Sequence, residues 1–544
     1  MNKESLVKVV TVFMTFLLLF VTFRNVQYPL LWNDEGETAM YGNQILRNGY
    51  PKVHDGKNTL FHFAGSYSAN AYVEKLDAYV GNVWGQYYLA APLLALANSF
   101  NDPYQKTLIL RGGFTAIGVA GVLIFPLLFI NYINGKKTRW KAYLVFLIIE
   151  LTSVPLLLHL RQFRVYPLII FLMPFLLYKI INLNHKDSRE TTEFILLGML
   201  FVLFNLSYIV YASVMLTVFI NSLVGLEFIR FNSTGIWHYI KSNKLQWYGF
   251  SILSVLPIVM FHRILQNSLG LTNQFGAFQY SFFQKITIVT GFFLVSELLL
   301  PVLLLYLKVR KTKNEDTAIA RVVKWLILFV IISMIIGGLT PFYYTRYFIH
   351  LQPVISIAFV LVAYGVVNTT GNNVVFWLKN NSGLMTIVML WILLVVVPLR
   401  MFWVTDYIRE MKNPVKGVLD YIVVYITNNY PRPKALTLAT NYEEMSLMYY
   451  LGSKVVVGFS GVNYAQEKTI TPDILIPRRS VTSVVNSLKM VDSFRGNAYY
   501  KETILPVVDY PVNNIPEMVV YPRHIFKTLT STSEENNLRI YEKK

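Results

Sequence analysis

The sequence predicts a polytopic α-helical membrane protein of about 11 transmembrane helices with a small C-terminal α/β domain, and three observations lead there. Of its 544 residues, 54% are hydrophobic and only 15% charged, at a mean hydropathy of +0.44; soluble domains carry about 25% charged residues. Apolar runs long enough to cross a bilayer, about 20 residues each, recur through residues 1–403. From residue 404 the chain changes character, with short apolar runs set among 17 basic and 14 acidic residues. The aromatic content of 15% excludes a disordered chain, and the lack of cysteine excludes a disulfide-stapled one.

The expected spans are 6–23, 111–133, 141–159, 165–183, 194–209, 210–228, 247–262, 286–307, 323–340, 347–367 and 384–403. The first is longer than a signal-peptide core and has no small-x-small cleavage site before Arg24-Asn25, so it is expected to stay. The run 194–228 is too long for one span and is read as a hairpin turning near Asn205–Tyr208. Segment 83–100 could cross or lie on the surface, and charge decides. If it lies on the surface, the loops 134–140, 184–193, 229–246, 308–322 and 368–383 share a side with the N-terminus. That side then holds 19 Lys and Arg against 13 opposite, as the positive-inside rule requires. The chain is therefore expected in the plasma (inner) membrane, multi-pass, with its N-terminus cytoplasmic and its tail extracytoplasmic. Of the net charge of +19, the membrane part holds +16 and the tail +3. The excess reports topology and gives no reason to expect nucleic acid. No GxxxxGK[ST] loop is present to drive a pump with ATP.

In the tail, an amphipathic helix over Val415–Asn428 leads into β-rich runs at Ala435–Thr440, Lys454–Gly458 and Asp473–Ile476. The domains are thus 1–403, with a first outer loop of about 24–110 holding juxtamembrane helices, and 404–544.

Three clusters carry chemistry. Trp32-Asn33-Asp34-Glu35-Gly36-Glu37 sets three carboxylates just past the first span, leading a helix from Glu35 to Leu46 with Asn33 or Asp34 as N-cap. Such a carboxylate can act as a general base or hold a divalent cation; the plainer reading is a solvated acidic cap. His159-Leu160-Arg161-Gln162-Phe163-Arg164-Val165-Tyr166 places two arginines where forked donors suit a phosphate, or where they snorkel at the interface. Tyr343-Tyr344-Thr345-Arg346-Tyr347 is a third such cluster, or part of an aromatic belt. All three fall on the outer face, where they make a site for an acceptor hydroxyl or amine and a lipid phosphate. Glu37, His54, Asp55 and His62 are candidates for acceptor or metal contacts, although the His and Asp spacing matches no standard metal motif. Glu150 and Glu297, inside expected spans, either line a polar cavity or pair with each other or a buried arginine.

In their order along residues 1–403, these elements resemble the GT-C glycosyltransferases, in the branch of protein O-mannosyltransferases and lipid A aminoarabinose transferases (glycosyltransferase family 39-like). Asp34-Glu35 leading to Gln44-Ile45-Leu46-Arg47-Asn48-Gly49 resembles the family's DExxYxxxAxxxLxxG helix. Gln86-Tyr87-Tyr88-Leu89, Arg111-Gly112-Gly113, Phe163-Arg164-Val165-Tyr166-Pro167-Leu168 and Arg346-Tyr347-Phe348-Ile349-His350-Leu351-Gln352-Pro353 resemble its later elements. The family's Lys-Pro-Pro element has no clear counterpart. The resemblance implies inverting transfer of a sugar from a polyprenyl-phosphate donor outside the cytoplasm. Asp34 would be the general base and Glu35 would orient the base or a cation. Arg161, Arg164, Tyr166, Arg346 and Tyr347 would hold the donor phosphate. The implied partners are a polyprenyl-phosphate-linked sugar, a lipid, glycan or protein acceptor, and membrane lipids. No cofactor is fixed; a divalent cation stays open. The alternative is a transporter or flippase of a lipid-linked anion with an outer accessory domain, which would ordinarily show paired broken helices and an internal repeat, neither of them visible in the sequence.

Overall fold

A computed structural model describes residues 3–60, 72–133, 135–182, 189–226, 281–311, 318–338, 345–369, 382–459, 467–481, 485–496, 498–509 and 536–544. Helix α1 (Lys3–Phe23) is the first span, and the chain turns after it at Asn25, whose φ is 58°. Helix α2 (Asn33–Asn48) begins two residues ahead of the expected Glu35. Its N-cap is Trp32, whose backbone N–H donates to Glu35 Oε2 at 3.3 Å, so a glutamate in the first turn replaces Asn33 or Asp34 as the capping side chain. Gly49, at φ 79°, ends the helix in the left-handed conformation.

A short hairpin of β1 (Tyr72–Val73) and β2 (Ala78–Tyr79) precedes α3 (Gly85–Ala97). At 13 residues, α3 is about 20 Å long and cannot cross a core of about 30 Å. It packs on α2 and on α4 (Pro103–Phe129) instead. Helix α4 starts eight residues before the expected 111, because Asp102 caps it by accepting the Tyr104 N–H at 3.1 Å and Pro103 suits its first turn.

Two expected spans are broken. Helices α5 (Lys136–Leu151) and α6 (Val154–Leu160) meet at 80°, with Pro155 in the first turn of α6. Next come α7 (Val165–Ile181), α8 (Arg189–Leu206) and α9 (Tyr208–Leu226), with the helix interrupted at Ser207. Helices α10 (Phe282–Val295) and α11 (Leu299–Lys311) then meet at 81°. The two breaks adjoin through Arg400. Its guanidinium donates to the Ser296 carbonyl at 3.0 Å, the Ile149 carbonyl at 2.7 Å and Thr152 Oγ1 at 3.0 Å, and pairs with Glu297. Glu297 therefore takes the arginine partner expected as one of its options. The bundle closes with α12 (Ala318–Gly338), against which α9 packs, then α13 (Leu351–Thr369) and α14 (Ser382–Trp391). Helix α14 runs through a π-turn at Ile392–Val396 into α15 (Val397–Lys412).

Among the described residues, four helices are long and apolar enough to cross a membrane, or six if each bent pair is one span. The expected spans at 165–183, 194–209, 210–228 and 347–367 correspond to apolar helices of 10–17 residues. The run 247–262 lies outside the described residues. This is the architecture of a polytopic integral membrane protein. Helix α15 carries on past the expected boundary at 403/404, because its next turns bury Tyr407 and Glu410 against the bundle.

The tail comprises α16 (Val418–Asn429), β3 (Thr437–Thr440), α17 (Glu444–Leu451), β4 (Lys454–Val457), β5 (Ile474–Ile476), α18 (Val485–Ser493), β6 (Tyr500–Val508) and β7 (Asn537–Lys543). Among the described residues, its five strands form one sheet in the order β4-β3-β5-β7-β6. Strands β4 and β5 flank β3 in parallel (Thr437 opposite Lys454, Leu438 opposite Ile474), whereas β7 runs antiparallel to both β5 and β6. Ala439, Val456, Leu475, Val491 and Phe494 form a core on one face of this sheet.

Candidate active site

The adjacent acids of α2 point into different surroundings. Glu35 is fully buried. Arg111 of α4 grips it with two nitrogens, Nε donating to Oε1 at 2.8 Å and Nη2 pairing with Oε2. Glu35 Oε1 also accepts the Phe163 N–H at 2.7 Å, while Arg111 donates to the carbonyls of Val26, Pro29 and Leu30. This one pair ties together the loop after α1, the start of α2, α4 and the turn before α7. Glu35 therefore positions its neighbours and does not line the site.

Asp34 turns outward, its side chain 24% exposed, and two guanidiniums converge on its Oδ2: Arg164 at 2.6 Å and Arg346 at 3.6 Å. Arg164 is the N-cap of α7, and Arg346 sits in a 3₁₀ turn (Thr345–Phe348) before α13. Both guanidiniums lie over the Trp32 ring, at 5.9 and 5.4 Å, and Arg346 also lies 5.3 Å from the Tyr347 ring. Tyr166 is buried close by, edge-on to His159 at 5.4 Å. Glu37, one turn along α2, accepts a hydrogen bond from Tyr87 at 2.6 Å. Burial holds its carboxyl above the usual carboxylate range, against the pull of Arg164.

Other candidates sit elsewhere. Arg161 is buried against α15, donating to Tyr407 at 3.1 Å, Glu410 at 3.2 Å and the Asn25 carbonyl at 2.7 Å. It fastens α15 to the loop after α1 and does not join Arg164 at Asp34. His54 is exposed and bonds Asp77 at 2.6 Å, while Asp55 accepts the Lys57 and Asn58 N–H groups within its own turn. His62 lies outside the described residues. Among the described residues, no group of three or more His, Cys, Asp or Glu is placed to hold a metal ion.

The tail completes the surroundings of α2, a role sequence reasoning missed. Helix α17 packs on α2, with the Met445 N–H donating to Asn33 Oδ1 at 3.4 Å. Gly36 makes the close approach possible, since a Cβ there would lie 2.7 Å from the Ser446 nitrogen. Tyr442, Phe459 and Val481 pack with Trp32. Arg478, buried behind them, pairs with Glu443 and with Asp509 at 2.8 Å. The sequence signal for this seam is slight: a Glu443-Glu444 pair three residues past the β-rich run Ala435–Thr440.

Two solved structures match along nearly their whole length. One is ArnT from Cupriavidus metallidurans in the apo state, at TM-score 0.51 and 12% identity, covering 90% of this chain and 95% of that one. The other is the same protein bound to undecaprenyl phosphate, at TM-score 0.50 and 12% identity, with 97% of each chain covered. This chain has the ArnT fold. No protein-family profile and no curated protein matches it. In its version of the ArnT fold, the Asp34 site sits where the bundle meets the tail.

Proposed function

We propose that the protein transfers a sugar from a polyprenyl-phosphate donor to an acceptor on the extracytoplasmic face, with inversion and with Asp34 as general base. In this reading residues 1–403 form the membrane domain, the N-terminus is cytoplasmic, and the tail from 404 lies outside. The observation that carries it is the convergence of Arg164 and Arg346 on one oxygen of Asp34. A donor phosphate takes over the forked guanidiniums, with Tyr166 and Tyr347 beside them, and releases the Asp34 carboxylate. The carboxylate then accepts the proton of the acceptor hydroxyl or amine. As the acceptor bonds to the anomeric carbon, the bond from that carbon to the phosphate oxygen breaks, and the arginines hold the charge of the departing lipid phosphate. Two cations beside Asp34 make its surroundings better suited to an anion than to a divalent cation. Support comes from the fold, shared with a protein solved with undecaprenyl phosphate bound.

The test is transfer from undecaprenyl-phosphate-linked pentoses and hexoses in proteoliposomes. Asp34→Asn is expected to lower kcat at least about 10³-fold while keeping undecaprenyl phosphate binding. Arg164→Ala or Arg346→Ala is expected to weaken that binding by about 10- to 100-fold. Full activity in Asp34→Asn would overturn the reading. A flippase is the second reading, favoured by the two broken spans that adjoin at Arg400. Liposomes in which the protein moves a lipid-linked sugar between leaflets and glycosylates nothing would establish it.

A further inference from the structure

The tail sets a buried carboxyl group beside the first turn of α2. Glu444 opens α17, the helix whose next two residues touch Asn33 and Gly36. It is 3% exposed, and its Oε1 accepts the Phe459 N–H at 3.1 Å. Its Oε2 has no hydrogen-bond partner among the described residues. The same holds for Ser446 Oγ, two residues along, and for the indole nitrogen of Trp32, two residues before Asp34. Buried polar atoms are nearly always bonded, to protein, water or ligand, so three such atoms along one seam, from bundle and tail alike, offer hydrogen bonds to a polar ligand that displaces water. A lipid chain cannot take them up, and the phosphate is accounted for by the arginines on Asp34. A ring of hydroxyls offers donors and acceptors together.

We infer that Glu444, with Ser446 and Trp32, forms a subsite that hydrogen-bonds the ring hydroxyls of the transferred sugar, so that the tail sets sugar specificity. The inference rests on the transferase reading above. The protonation state of Glu444 suits the task. Burial, with Glu443 and Asp34 adding their negative charge, raises its carboxyl to about 7. Below that pH it is a neutral acid that donates through its O–H and accepts through its carbonyl. Above it, a new carboxylate faces Asp34 from α2 and Glu443 from the tail, and can only accept. The arginines of this region are already paired: Arg164 and Arg346 with Asp34, Arg478 with Glu443 and Asp509.

The experiment measures binding of undecaprenyl phosphate, and of its pentosyl and hexosyl esters, to the full chain in nanodiscs. In the wild-type protein, one or more sugars are expected to add about 10-fold or more in affinity over undecaprenyl phosphate alone, and this increment should fall as pH rises through about 7. Glu444→Ala should lose the increment and keep undecaprenyl phosphate affinity within about twofold. Glu444→Gln, which still donates and accepts, should keep the increment and lose its pH dependence. An undiminished increment in Glu444→Ala, or no increment in the wild type with any sugar of the panel, would overturn the subsite. Should Glu444→Ala fail to fold, the pH arm decides, because an identical pH decline in wild type and Glu444→Gln overturns it as well. Failure of the wild type to bind undecaprenyl phosphate at all would instead remove the transferase reading, and the subsite with it.

Discussion

At the residue scale, Asp34 and Glu35 show how position on a helix divides labour between identical chemistries. Consecutive side chains point about 100° apart, so one acid faces the arginines of the site while the other is driven into the bundle against Arg111. Removing the Glu35 charge strands a buried guanidinium. Glu35→Gln should therefore cost about 3–5 kcal/mol, read as a large drop in thermal unfolding temperature in detergent. Asp34→Asn also takes a carboxylate from two arginines, but at a site 24% exposed to solvent, so it should lower that temperature by less while transfer collapses. Arg161 makes the same point: with its guanidinium committed to Tyr407 and Glu410, Arg161→Ala should lower the unfolding temperature and leave undecaprenyl phosphate affinity within about twofold. The acids and arginines were legible in the sequence because charge stands out beside an apolar run. Which acid turned inward was not, because Arg111 lies 76 residues from Glu35. Nor was the separation of Arg161 from Arg164, because the partners of Arg161 lie on α15.

At the scale of elements, α2 is held from two sides, and Gly36 is where the tail comes closest. Gly36→Ala places a methyl against the Ser446 backbone. It should cost about 1–3 kcal/mol and expose α17 to limited proteolysis at protease concentrations that leave the wild type intact. Asp420, at the start of α16, ties the tail to the loop after α1 by accepting the N–H groups of Leu30 and Gly417. Burial lifts its carboxyl from 3.8 to about 6. A raised carboxyl binds its proton more tightly in the folded state, so the stability linked to it is complete below pH 3.8 and lost as pH rises through about 6. Asp420→Asn, still able to accept both N–H groups, should flatten unfolding temperature against pH across that window. Strands β3, β4 and β5 were readable as short apolar runs between turn residues. Strands β6 and β7 were not, because β6 mixes exposed Lys501 and Glu502 with exposed Ile504 and Pro506, without apolar alternation, and β7 joins the sheet from far along the chain. The hydrophobic runs marked where α5–α6 and α10–α11 lie and gave no sign of bends of 80° and 81°, since apolarity fixes depth in a membrane without fixing direction.

At the scale of the whole molecule, the bundle and tail share the site, so neither should work alone. A chain ending at Lys412 is expected to insert in the membrane through its long apolar helices and to show no sugar transfer, because α17 no longer braces α2; proteoliposome activity together with membrane fractionation checks both halves of that statement. The placement of β7 has a consequence in time. It lies inside the sheet, between β5 and β6, so the sheet that carries α17 stays unfinished until Asn537–Lys543 has been synthesised. Helix α2 leaves the ribosome early and must wait through most of translation for its brace. A nascent or prematurely terminated chain would thus hold Asp34 on an unsupported helix, and the order of synthesis itself keeps the site from assembling before the protein is made.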